Sequence, residues 1–78
     1  MALVRLFGER VRELRLNAGL PPSRLAQRCR VSTETIRKVE LGHHGEPGLV
    51  LILTVCHGLR VKPDRLLAVL PAPKERRP

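Results

Sequence analysis

Four polar side chains, Thr33, Glu34, Arg37 and Lys38, lie one, three and four residues apart. On a helix that spacing gathers them on one side. Their chemistry suits the edges of base pairs. Arg37 or Lys38 can donate to guanine O6 and N7, Glu34 can accept from cytosine N4, and Thr33 can touch a thymine methyl or a phosphate. Ile36 and Val39 sit three apart on the other side and give the same helix an apolar back. A merely solvated helix would show similar residues, and Glu34 would suit any first helical turn because a carboxylate offsets the dipole there. What separates the two readings is the context in which the helix is held.

That context is the segment 23–42, SRLAQRCRVSTETIRKVELG. Ser32 is a good N-cap for a helix over residues 33–41, and Gly42 ends it. Arg30, Val31 and Ser32 form a tight turn. Before it, a short helix over residues 22–29 turns Leu25, Ala26 and Cys29 inward, and Pro22 suits its first position because the missing N–H has no intrahelical partner to lose. Two short helices joined this way, with a polar face outward, match a helix offered to the major groove of duplex DNA.

The flanking chain supplies the support. Leu3, Phe7, Val11, Leu14 and Ala18 recur at helical spacing, which predicts a first helix from residue 3 to 17 or 18, with Gly19 as C-cap and Leu20 plugging the junction. Residues 43–47 form a loop. Residues 49–58 are apolar nearly all round, so periodicity alone does not separate helix from strand. Leu49, Ile52, Leu53, Cys56 and Leu59 keep helical spacing, and a buried central helix is the expectation. Pro63 opens a fifth helix over 64–70 with Leu66, Leu67 and Leu70 inward. The fold class is all-α: a compact five-helix bundle in one domain, residues 1–70. Residues 71–78 carry no apolar pattern and are expected to form a disordered basic tail.

Charge points to a polyanion. The 78 residues hold 15 Lys+Arg against 7 Asp+Glu, a formal charge of +8, and 12 of the cations are Arg, the better residue for bidentate contacts. Phe7 is the sole aromatic. Proteins that grip single strands stack bases on aromatic rings, so a duplex is favoured. The third helix balances Arg37 and Lys38 with Glu34 and Glu40, and the positive excess falls on the first two helices, the turn and the tail. Ser23, Arg24, Arg28 and Arg30 are the candidate phosphate contacts, with His43 and His44 in a loop near phosphate. Arg10, Arg12, Lys74, Arg76 and Arg77 supply diffuse attraction.

Other classes find little support. Cys29 and Cys56 lie on apolar faces and read as reduced core thiols. No Cys-x-x-Cys and no zinc-finger histidine pair occur, so no metal is expected. No catalytic triad order, glycine-rich phosphate loop or paired carboxylates appear, so neither an enzyme, a cofactor nor a small-molecule ligand is expected. The start carries Arg5 inside its apolar run and fails as a secretory signal. The longest uncharged apolar run, 49–56, is too short to span a bilayer. A soluble cytoplasmic protein is the expectation.

The stretch GERVRELRLNAGLPPSRLAQRCRVSTETIRKVELG resembles the phage repressor/Cro-type helix-turn-helix, also called the xenobiotic-response-element family. The resemblance rests on Val11-Arg12-Glu13-Leu14-Arg15, Gly19-Leu20, Leu25-Ala26, Val31-Ser32 and Ile36-x-x-Val39-Glu40-x-Gly42. It continues through Pro47-x-Leu49, Leu59-x-Val61 and Asp64-x-Leu66-Leu67, over about residues 8–67. It implies a lambda-repressor-like bundle with the third helix in the major groove and base contacts from the positions of Thr33, Glu34 and Lys38, with Arg37 beside them. It also implies a structural ion pair between Arg15 and Glu40. Three positions depart from the family. Pro22 stands where Gln often binds a phosphate, so that contact is lost or passes to Ser23 or Arg24. Arg30 and Arg60 stand where glycines are usual, and a non-glycine residue at positive φ costs on the order of 1 kcal/mol. The implied function is a small transcriptional regulator acting as a repressor by occupancy. The alternative is an antitoxin or protein-interaction module whose main partner is a toxin or other protein. A homodimer is expected, because one small head contacts few base pairs; residues 66–70 and 49–55 are the candidate interface.

Overall fold

A computed structural model describes residues 2–68 of the chain. Val69, Leu70 and the tail 71–78 lie outside the described residues, and with them the inward role expected of Leu70. Five helices follow in order: α1 Ala2–Asn17, α2 Pro22–Cys29, α3 Thr33–Leu41, α4 Leu49–Leu59 and α5 Pro63–Leu66. None among the described residues is long and apolar enough to cross a membrane.

The helices meet around one core. Phe7, Val11 and Leu14 from α1 pack with Leu25, Ala26 and Cys29 from α2, and with Ile36 and Val39 from α3. Val55, Cys56 and Leu59 from α4 and Leu66 from α5 close it. α1 lies mainly on α3, while α2 bridges α3 and α4. Two of these crossings are too close for any side chain but hydrogen. A Cβ on Gly8 of α1 would collide with the Val39 carbonyl oxygen and stand 2.9 Å from that of Glu40. A Cβ on Gly58 of α4 would stand 2.6 Å from the Cys29 Sγ.

Four of the helices end in the same way. The first residue after the helix, or the second in α1, takes the left-handed conformation, and two N–H groups turn back onto carbonyls of the last turn. After α1 the N–H groups of Gly19 and Leu20 reach the oxygens of Leu16 and Arg15 at 3.0 and 3.1 Å. After α3, Gly42 and His43 reach those of Val39 and Lys38 at 3.1 and 2.8 Å. After α2 and α4 the left-handed position is filled by Arg30 (φ 58°) and Arg60 (φ 60°). The strain expected at Arg30 is therefore present, and Arg60 shares it.

Several sequence expectations are corrected. Val4, not Leu3, begins the buried stripe of α1, and Leu3 is 47% exposed. Ala18 is exposed because α1 has ended one residue earlier. α5 stops at Leu66, and Leu66 lies wholly within its own core, which removes it from any interface. The largest correction concerns α4. It is a helix, but only one side is covered: Leu49 is 70% and Val50 78% exposed, and Leu53 is half-exposed. The buried side is carried by Cys56 and Leu59, as expected, and by Val55, which the spacing did not single out. The helices that pack on α4, namely α1, α2 and α5, leave this side of it uncovered among the described residues.

Two substitutions test these contacts by urea unfolding. Gly8→Ala drives a methyl into backbone that has nowhere to move, and a loss of about 3 kcal/mol or more is expected. Arg30→Gly relieves the left-handed strain, and a net gain of roughly 0.5–1 kcal/mol is expected once the greater freedom of the unfolded glycine is counted.

Candidate nucleic-acid interface

α3 begins on a side-chain cap. The Thr35 N–H donates to the Ser32 Oγ at 3.1 Å, and the two hydroxyls lie 2.9 Å apart. The cap fixes where the helix starts and hence which residues face out. Ile36 and Val39 are buried behind it, and Glu34, Arg37 and Lys38 are exposed in front. Thr33 is half-buried at the same edge. Among the described residues, no ion pair ties Glu34, Arg37 or Lys38 to another side chain.

The back of α3 is held by charge as well as by packing. The Arg15 Nε donates to one Glu40 carboxylate oxygen at 2.6 Å and the second guanidinium nitrogen to the other at 3.0 Å. Both side chains are nearly buried, at 8% and 7% exposure. The remaining Arg15 nitrogen donates to the Leu20 carbonyl at 2.8 Å. One guanidinium thereby joins α1, the junction to α2 and the end of α3. The pairing also corrects the charge of the outer surface. With Glu40 neutralised inside, the exposed part of α3 presents two cations against the single carboxylate of Glu34, so it is positive rather than neutral.

The phosphate candidates separate. Ser23 and Arg24 are exposed in the first turn of α2. The N–H groups of Arg24 and Leu25 both turn back to the Pro21 oxygen. His43 and His44 are exposed just past α3. Arg28 is different: its Nη1 donates to the Gly58 carbonyl at 3.3 Å, so it helps seat α2 on α4. Arg28 and Arg30 together border a groove against α4, with Val50, Leu53, Thr54 and His57 on its other wall.

Gln27 is exposed one turn after Ser23 on α2. Arg10, expected to add only diffuse charge, reaches the Arg65 carbonyl at 2.9 and 3.3 Å and Glu13 at 2.8 Å. It latches α1 to α5, and a partner 55 residues away leaves no local signal. Both cysteines are free and buried. Burial pushes the Cys29 and Cys56 thiols up from their ordinary range. The Cys29 thiol donates to the Thr54 carbonyl at 3.6 Å, the behaviour of a protonated core residue. Among the described residues, no cluster of three or more His, Cys, Asp or Glu is placed to hold a metal.

Comparison with known proteins agrees with this geometry. Residues 6–70 match the model of a helix-turn-helix domain family. The chain is similar in structure to the restriction-modification controller protein C.AhdI from Aeromonas hydrophila, with a TM-score of 0.79 and 33% identity over 85% of this chain and 98% of that one. It is similar to the clp gene regulator ClgR from Corynebacterium glutamicum, with a TM-score of 0.79 and 29% identity over 85% and 84% of the two chains. A further likeness, to apo-HppE, has a TM-score of 0.74 at 23% identity and covers 35% of that chain, which shows the fold alone. No curated protein matches the chain in sequence.

Thermal unfolding of three variants tests the buried pair. Arg15→Met alone strands the Glu40 carboxylate, and a loss of about 3–5 kcal/mol is expected. The double change Arg15→Met with Glu40→Leu removes both charges and recovers most of that loss. A double variant as unstable as the single one would show that the pair itself, and not the stranding of a carboxylate, accounts for the loss.

Proposed function

Because the chain belongs to the helix-turn-helix domain family over residues 6–70, we propose that it binds duplex DNA in a sequence-specific manner and represses transcription by occupying its operator. The observation that carries this reading is the division of α3: Ile36, Val39 and the Glu40 carboxylate are held from behind, and Glu34, Arg37 and Lys38 are presented outward. In this reading α3 lies in the major groove. Arg37 and Lys38 donate to guanine edges, Glu34 accepts from cytosine N4, and Thr33 meets a thymine methyl or a phosphate at the groove wall. The net positive outer surface supports a polyanionic target more directly than composition alone.

Phosphates are gripped from the flanks. Ser23 and Arg24 at the start of α2 replace the contact that Pro22 cannot make, and His43 and His44 reach the backbone from beyond α3. Gln27 extends the α2 contact by one turn. Arg28 and Arg30, bordering α4, are left out of this set. A head of this size covers few base pairs, so two copies on half-sites about one helical turn apart give the needed specificity. Two of the structural neighbours are a controller protein and a gene regulator by name, and the same class of role is proposed here, in the compartment that holds the DNA.

The test separates reading from gripping. Lys38→Ala changes which sequences are selected from a random duplex pool. Arg24→Ala weakens every duplex alike and lowers the slope of log affinity against log salt by about 1. Equal effects of both variants on all sequences would remove Lys38 from the reading set. Absence of salt-dependent duplex binding would instead favour the protein-partner module.

A further inference from the structure

α4 is apolar beyond what its own domain can cover. Its sequence, LVLILTVCHGL, contains no Asp, Glu, Lys or Arg, and such a helix is ordinarily surrounded. Here Leu49, Val50 and Leu53 remain open to solvent. Alongside them runs an open groove of about 560 Å³, walled by Val50, Leu53, Thr54 and His57 on α4 and by Arg28 and Arg30 at the end of α2. The Thr54 hydroxyl is already satisfied by the Val50 carbonyl at 2.7 Å, so the α4 wall asks for apolar contact. The α2 wall carries two guanidinium groups, and among the described residues no carboxylate lines the groove.

We propose that this groove docks an acidic amphipathic helix of a protein partner. Aliphatic side chains at helical spacing would cover Val50 and Leu53, and carboxylates on the flank would meet Arg28 and Arg30. Charge decides between this occupant and a second copy of the chain. Twofold pairing through the groove would bring the Arg28 and Arg30 pairs of two copies to one seam, with no acid among the described groove residues to offset them, in a chain of net charge +8. Duplex DNA fits poorly as well, because a phosphate backbone would leave the aliphatic wall bare. The groove is distinct from the outer face of α3, so both can be occupied together, and the inference does not depend on the DNA reading.

The test titrates two synthetic helical peptides into the isotope-labelled full chain and follows amide shifts by NMR. One carries leucines at i, i+3, i+4 and i+7 with glutamates elsewhere, and the other has lysines in place of the glutamates. The acidic peptide binds in the micromolar range, moves amides of α4 and the end of α2, and binds equally well when a duplex is present. Val50→Asp weakens it by at least about tenfold, and Arg30→Glu does the same while leaving the apolar wall intact. Both positions are exposed, and circular dichroism confirms that the variants fold. Equal binding of the lysine peptide, shifts confined to α3, absence of binding, or self-association that Val50→Asp abolishes would each overturn the proposal.

Discussion

The orientation of α3 depends on a directional contact at its back. Apolar packing fixes that a helix lies on a core but leaves its rotation and slide soft, because the hydrophobic effect has no direction. The bidentate contact from Arg15 to Glu40 does have direction, and the third donor to Leu20 ties it to the path of the chain between α1 and α2. Two charges in so small a core carry a desolvation cost that their attraction only partly offsets. Their bidentate geometry constrains the rotation of α3 as well as its position. Gly8 adds the complementary constraint, letting α1 approach the Val39 and Glu40 carbonyls so closely that sliding is blocked. The face that α3 turns outward follows from these two contacts.

The left-handed arginines show the opposite balance. Arg30 and Arg60 complete the same hydrogen-bonded helix ends that Gly19 and Gly42 complete elsewhere, at a backbone strain glycine would not bear. Arg30 is one of the two cations bordering the α4 groove, and nothing in the structure explains why Arg60 is not a glycine.

Most of the architecture was legible because it is written locally. Ser32, Gly42, Gly19 and Pro22 act within a turn of where they stand, and the helix ends they imply are the ones found. The inward sets of α2 and α3 followed from spacing alone. The resemblance, rather than spacing, supplied the pairing of Arg15 with Glu40, since nothing in either neighbourhood names the other. The failures share one cause. Leu3, Leu49 and Leu53 are apolar at helical spacing, yet whether an apolar face is covered depends on how many neighbours the fold can bring to it. The carbonyl partners of Arg10 and Arg28, on Arg65 and Gly58, come from distant parts of the chain and leave no local signal. The neutrality assigned to α3 failed in the same way, because burial of Glu40 is a tertiary fact.

The split of α3 into a held back and an untethered front bears on how such a protein diversifies. Glu34, Arg37 and Lys38 contribute to no ion pair within the described residues, so their replacement leaves the scaffold standing. On the proposed reading, target choice could then change among duplicated copies, or by design, while Gly8, Arg15, Ile36, Val39 and Glu40 are kept. The side chains that hold α3 and those it turns outward occupy opposite sides of nine residues.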